Sequence, residues 1–267
     1  MHVLLTGAAG SIGTVVAQRL RDRHQFRGLD LRAAPQSWQG DYVVGDCADP
    51  AVAARGVAGV DAVVHLAGIP TEASLPSTLR SHVESTAALL DAMVQHSVRR
   101  MVYASSNHAV GMTPREGVLP TSTRPRPDTF YGVGKVAAEA LLSLYADRYD
   151  IVSVALRIGS FLERPTSSRG LATWLSYDDC AAMVNAALTA EAEGFTPIYG
   201  VSANSDGWWD LEPGRALGYH PRDDAAEHAV GVDPRPEDEA EGARVGGPFA
   251  TAGYDRRPFE PDEAEGG

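Results

Sequence analysis

The chain has 267 residues, 44% of them hydrophobic and 22% charged, a balance that suits one large α/β domain with an apolar core and excludes a disordered chain. A formal net charge of −12 argues against nucleic acid as a partner, because phosphate backbones are gripped by basic patches. No run approaches the roughly 18 uninterrupted apolar residues of a membrane span, and the start of the chain enters a glycine-rich turn with no room for a signal peptide, so a cytoplasmic protein is expected.

The first strand is predicted at His2-Val-Leu-Leu-Thr6, followed by a helix from Ser11 to Arg23. Gln25 to Asp30 reads as a second strand and Tyr42 to Val44 as a short third. A helix near Pro50 to Arg55 precedes a fourth strand at Asp61 to Leu66, and Thr78 to His96 is a long amphipathic helix. The fifth strand spans Arg100 to Ala104, a helix Phe130 to Tyr149, and the sixth strand Ile151 to Ile158. Tyr177 to Ala192 is predicted helical and Pro197 to Val201 extended. Continuous apolar strands alternating with helices imply an α/β fold of Rossmann type, a doubly wound parallel sheet whose crevice lies at the strands' carboxyl ends. The expected division is a Rossmann core at 1–157 and a small substrate-binding region at 158–232. Beyond it, 233–267 is an acidic, Pro- and Gly-rich tail, partly mobile by composition, in which Gly246 to Phe249 and Tyr254 are able to fold back over a pocket.

The first strand runs into Gly7-x-x-Gly10-x-x-Gly13 and then a helix. Gly7 permits the tight turn, Gly10 close approach of a pyrophosphate, and Gly13 close helix packing, while the amides at Ser11 and Ile12 open the helix with its positive dipole end. Three glycines alone are weak; their place between strand and helix makes the dinucleotide reading strong. Asp30, about 20 residues further on, is placed to accept hydrogen bonds from the ribose of NAD and to repel the 2′-phosphate of NADP. Asp46 with Cys47, the turn Leu66-Ala67-Gly68, and Ile158 are expected along the same crevice, against the bland reading of Asp46 as a cap and of His65 as a core histidine. The two cysteines, Cys47 and Cys180, lack metal-like spacing, so reduced structural thiols and no metal are expected.

Tyr131 and Lys135 stand four residues apart on one helix face. A cation near the phenol favours phenolate, bringing a group with a pKa of about 10 towards use as a base. Lys135 is also the sole lysine of a chain otherwise committed to arginine. The serine cluster Ala104-Ser-Ser-Asn-His108 closes the fifth strand, where a hydroxyl can orient a reacting oxygen.

With these motifs the chain resembles the extended short-chain dehydrogenase/reductases, the NAD-dependent epimerase/dehydratase type, to about residue 230. Ser106, Tyr131 and Lys135 fall on the catalytic places of that family, and His82 stands where relatives often carry a structural asparagine. Within it the stretches Arg157-Ile-Gly-Ser160, Arg169, Thr173-Trp174, Tyr177-Asp-Asp179, Ser202-Ala-Asn204 and Trp208-Trp-Asp210 resemble the uronate dehydrogenases. The resemblance implies oxidation of D-galacturonate or D-glucuronate at C1 to an aldaro-lactone, with NAD as acceptor, in a homo-oligomer. Tyr131 then acts as base, Ser106 holds the anomeric oxygen, and Lys135 binds the nicotinamide ribose. Asn107 and His108 bond sugar hydroxyls, Ser160 and Arg169 clamp the carboxylate, and Thr71 stands in for a small polar contact that Pro70 displaces. The bland readings are a capped turn for Asn107 and His108, a solvated loop arginine for Arg169, and core packing for the tryptophan pair. A sugar-phosphate dehydrogenase, a nucleotide-sugar epimerase and a non-catalytic NAD-sensing regulator are the alternatives.

Overall fold

The computed structural model describes residues 1–262. In chain order the elements are β1 (His2–Thr6), α1 (Ser11–Leu20), β2 (Gln25–Asp30), β3 (Tyr42–Val44), α2 (Pro50–Val57), β4 (Ala62–His65) and α3 (Leu75–Thr78). A π turn at Leu79–Glu84 joins α3 to α4 (Ser85–Gln95) without a break. Then come β5 (Arg100–Ser106), α5 (Phe130–Tyr149), β6 (Val152–Ile158), β7 (Ser160–Phe161), α6 (Ser168–Thr173) and β8 (Trp174–Leu175). The last are α7 (Tyr177–Thr189), β9 (Phe195–Gly200), α8 (Glu212–Ala216) and α9 (Asp238–Gly242).

Seven parallel strands form one sheet in the order β3-β2-β1-β4-β5-β6-β9. The order reverses between β1 and β4, where Thr6 lies beside His65, so the crevice opens over the ends of these two strands. Alternation along each strand sends side chains to two buried faces. Val3, Leu5, Val64 and Val154 pack with Val16 of α1 and Met183 of α7. Leu4, Val63, Met101 and Ala155 pack with Val52 of α2, Leu89 of α4 and Leu142 of α5. Helices on both faces explain why the strands read as unbroken apolar runs. A third cluster, Val110, Leu119, Tyr199, Trp208, Trp209 and Val245, supports the later part of the chain. The tryptophan pair belongs to it, its rings stacked 4.8 Å apart.

Three boundaries differ instructively from the sequence reading. α1 stops at Leu20 because the amides of Arg23 and His24 both return to its carbonyl. The helix before β5 begins early, where the Ser74 hydroxyl caps the amide of Ser77 and Pro76 occupies the first turn. β5 runs two residues past Ala104, which carries Ser105 and Ser106 on the strand itself. The two-stranded sheet of β7 and β8, and the short α6, α8 and α9, are too brief for periodicity to mark.

The acidic segment after residue 233 returns to the body. The amides of Val245 and Gly246 donate to the carbonyls of Thr113 and Gly111, and Pro258 accepts from the amide of Leu75. Asp262 accepts from the amide and hydroxyl of Ser74 at 2.5 and 3.1 Å. Residues 263–267 of the predicted tail lie outside the described residues.

Candidate active site

At the end of β1 the chain turns through Gly7 at φ +66°, a left-handed conformation that glycine adopts freely. A Cβ on Gly7 would stand 2.8 Å from the amide nitrogen of Ala67, and one on Gly13 would collide with the carbonyl oxygen of Gly7. Gly10 meets only that oxygen, at 3.1 Å, so its outer side is open. No side chain caps α1 and no acidic residue sits in its first turn. The first amide of the helix to find a carbonyl is that of Thr14, leaving those of Ser11, Ile12 and Gly13 for an anion. The donor set and the open glycine fit a dinucleotide pyrophosphate.

Asp30 ends β2 with its carboxylate buried against this loop, accepting from the amides of Ala9 and Arg32, each at 3.0 Å. Two accepted bonds leave lone pairs for a ribose diol. Arg32 approaches to 3.5 Å, an exposed side chain that neutralises Asp30 only weakly. Asp46 accepts from the amide of Ala48 and from Arg80 at 2.7 Å, a partner that sequence reasoning missed. Cys47 is buried, and burial pushes its thiol up to about 12, so it offers no thiolate. Leu66, Ala67 and Gly68 follow β4 beside the glycine turn, and Ile158 closes β6. His65 is a buried core histidine, bonded to the Thr6 hydroxyl at 2.7 Å and pushed down to about 3 by burial.

Ser106, at the end of β5, and Tyr131 and Lys135, on the first turns of α5, meet at the crevice's next stretch. Thr129 caps α5 by accepting from Gly132 at 2.9 Å. The amides of Phe130 and Tyr131 both donate to Glu72, each at 2.9 Å. The Lys135 ammonium donates to the Ala104 carbonyl at 2.6 Å and lies 5.2 Å from the centre of the Tyr131 ring. Burial lowers Lys135 to about 7, with Glu139 opposing. Tyr131 moves opposite to the sequence expectation: burial raises it to about 12, and the Ser106 hydroxyl recovers only part of that. Desolvation of the phenol outweighs a cation at that distance.

Beyond these, Asn107 is buried with its amide nitrogen unpartnered, its oxygen accepting from Ser106 at 3.3 Å. His108 sits edge-on to Tyr131, ring centres 5.8 Å apart, and its Nδ1 lies 2.9 Å from the buried carboxylate of Asp128. Ser160 bonds Thr173 at 2.8 Å, and Thr173 donates to the carbonyl of Arg169. The partly buried Arg169 donates to the Val245 carbonyl at 3.0 Å, its Nε lacks a partner, and no carboxylate among the described residues reaches salt-bridge distance. Thr71 is exposed and makes no side-chain bond among the described residues; its neighbour Glu72 reaches α5 instead. His82, on the π turn, donates from Nε2 to the Ile69 carbonyl at 3.1 Å, and burial holds it neutral at about 2. Its ring lies edge-on to Tyr131 at 5.3 Å. A cavity of about 580 Å³ beside Phe26, His24 and Trp38 opens at the amino end of β2, the far end of the strands from this cleft. Among the described residues no cluster of three metal-ligating side chains occurs, and no helix is long and apolar enough to cross a membrane.

Compared with known families, residues 3–162 match the model of the NAD-dependent epimerase/dehydratase family. The chain belongs to that family. Among curated epimerase/dehydratase relatives, the uronate dehydrogenase of Pseudomonas putida is 36% identical, over 94% of this chain and 96% of its own. The NAD-dependent glucose-6-phosphate dehydrogenase of Haloferax volcanii is 35% identical, over 88% and 98%. Among solved structures, a uronate dehydrogenase mutant from Agrobacterium tumefaciens complexed with NAD superposes with a TM-score of 0.89, at 33% identity, over 97% of this chain and 98% of that one.

Proposed function

We propose that this chain oxidises a hexuronic acid, D-galacturonate or D-glucuronate, at C1 to the aldaro-lactone, with NAD as acceptor. Uronate dehydrogenases at about 35% identity over most of the chain support it. Within the site it is carried by Arg169, a partly buried guanidinium that donates to the Val245 carbonyl while its Nε has no partner and no carboxylate stands within salt-bridge distance among the described residues. Such a donor is costly to leave unmade, and a substrate carboxylate completes it. Asp128 and Glu241 both act on Arg169 through space, and a phosphate dianion would meet stronger repulsion from these carboxylates than a carboxylate monoanion does.

Bound NAD supplies the acceptor for the C1 hydride. The amides of Ser11, Ile12 and Gly13 hold its pyrophosphate, Asp30 the adenosine ribose, and Asp46, Cys47, Leu66, Ala67, Gly68 and Ile158 frame the crevice. Lys135 holds the second ribose. Tyr131 takes the proton of the anomeric hydroxyl while Ser106 donates to that oxygen, and Asn107 and His108 bind neighbouring hydroxyls. Tyr131 and Lys135 work as a pair, since the productive state has one proton fewer than the fully protonated pair. The screen that tests this reading measures NAD reduction with uronic acids, neutral aldoses and aldose phosphates; a hexose phosphate as the preferred substrate overturns it.

The exposed apolar Val133 and Leu144, three turns apart on one face of α5, support a homo-oligomer, which light scattering measures. Free, buried Cys47 and Cys180 suit a reducing cytoplasm.

A further inference from the structure

We propose that Asp128 is a positioning residue of this site, holding His108 with its proton on Nδ1 so that Nε2 serves a hydroxyl of the sugar. The role deepens the sugar-oxidation reading and takes from it only the identity of that hydroxyl. Both carboxylate oxygens of Asp128 lie within bonding distance of Nδ1, at 2.9 and 3.0 Å, and the side chain has no exposure to solvent. An ionised carboxylate only accepts, so the proton between them belongs to Nδ1. The Nε2 of His108 makes no hydrogen bond among the described residues, while the ring is flanked by Tyr131 and by Phe249, its centre 5.3 Å from the latter. The imidazole is thus clamped at Nδ1 and on its sides, one of them the ring of the candidate base, and Nε2 is unbonded among the described residues.

Asp128 stands just before α5, where a carboxylate ordinarily caps the helix. That job is already filled. Thr129 accepts from Gly132, and Glu72 accepts from Phe130 and Tyr131, so no amide of α5 turns to Asp128. Its other bond is from the Thr129 hydroxyl to Oδ1 at 3.1 Å. The chain also makes room for it. A Cβ at Gly111 or at Gly246 would collide with the carboxylate, and these two glycines are joined by a backbone bond of 2.9 Å. Two segments far apart in sequence close over a carboxylate whose main partner is His108. Burying a carboxylate so completely is unfavourable unless it is paired, and the pairing seats an imidazole at the reacting centre.

The test is Asp128→Asn, read first by ¹⁵N NMR of protein labelled at its eight histidines, with His108 assigned from the signals lost in His108→Gln. With Thr129 donating to the oxygen of the substituted side-chain amide, the nitrogen of that amide turns to Nδ1 and moves the proton to Nε2. The expected results are Nδ1 protonated in the parent protein, Nε2 protonated in D128N, and unchanged NAD affinity. kcat/KM for the sugar should fall about 10- to 100-fold, the scale of one or two lost hydrogen bonds. The same substitution made in His108→Gln should cost far less than in the parent protein, because Asp128 acts mainly through His108 and the remainder reports only the charge it presents to Arg169. An unprotonated Nδ1 in the parent protein overturns the proposal without any variant, as do additive losses in the double variant. The tautomer is read with no sugar present, and the cycle runs on whichever aldose the substrate screen selects. Failure of the uronate reading therefore leaves the outcome for Asp128 intact.

Discussion

Replacing Arg169 with Ala should separate charged from neutral sugars. One guanidinium nitrogen is already committed to the Val245 carbonyl, while Nε is unpartnered and buried, so the side chain has both a structural bond and an unused donor. A hydrogen bond to a charged group is worth about 1.5–3 kcal/mol. Taking one such net bond to the substrate carboxylate, kcat/KM for galacturonate should fall by about 10- to 150-fold. The loss of the Val245 bond affects every substrate alike, and galactose, which lacks the carboxylate, measures it. The assay is the initial rate of NADH formation with both sugars, parent and variant, compared as a ratio of ratios. Arg169→Lys should restore part of the preference, since it keeps the charge and loses the planar fork. Equal losses on acid and neutral sugar would refute the argument, leaving Arg169 as a strut that holds residues 245–247 against α6.

Three further outcomes follow from the site. Asp30→Ala should narrow the preference for NAD over NADP by removing the negative charge that faces a 2′-phosphate; equal kcat/KM for the two cofactors in the parent enzyme would sink the assignment. Tyr131→Phe keeps the ring contacts to His82 and His108 and removes the proton acceptor, so kcat should fall by roughly 10²–10⁴-fold with NAD affinity unchanged, and near-native turnover would transfer the base to another group. For pH, burial sets Lys135 at about 7 and Tyr131 at about 12, so the singly deprotonated pair forms as pH rises through the lower value and is lost only near the upper. kcat/KM should therefore climb about tenfold per pH unit below 7 and level off above it, and a rate that falls between pH 6 and 8 would contradict the pairing.

What was legible in the sequence was what is local. The parallel sheet could be read because each buried strand carries its apolar run, and the glycine turn because strand, loop and helix adjoin. Ser106, Tyr131 and Lys135 were legible from a strand end and one helix face, with the family resemblance supplying their roles. The supporting residues had no such signal. Glu72 holds the start of α5 from 58 residues away and Asp128 meets His108 from 20 away, whereas Arg169 was named by resemblance and only its bond to Val245, across 76 residues, was not. Each is an ordinary polar residue until the fold chooses its partner.

The phenol of Tyr131 shows a second limit, one of sign rather than of position. A lysine four residues on predicts a lowered pKa, and the pair does lie on one face, yet burial moves both groups towards their neutral forms. Coulomb attraction is set by a spacing that sequence reveals, whereas desolvation is set by everything packed around the pair, including His82 and Tyr103 from other elements. In this cleft the second effect is larger. At pH above the Lys135 value of about 7 the neutral pair prevails, and a phenolate beside an ammonium must be formed against it. Chemistry at C1 thus depends less on how close Lys135 stands to Tyr131 than on what else enters the cleft to share the charge.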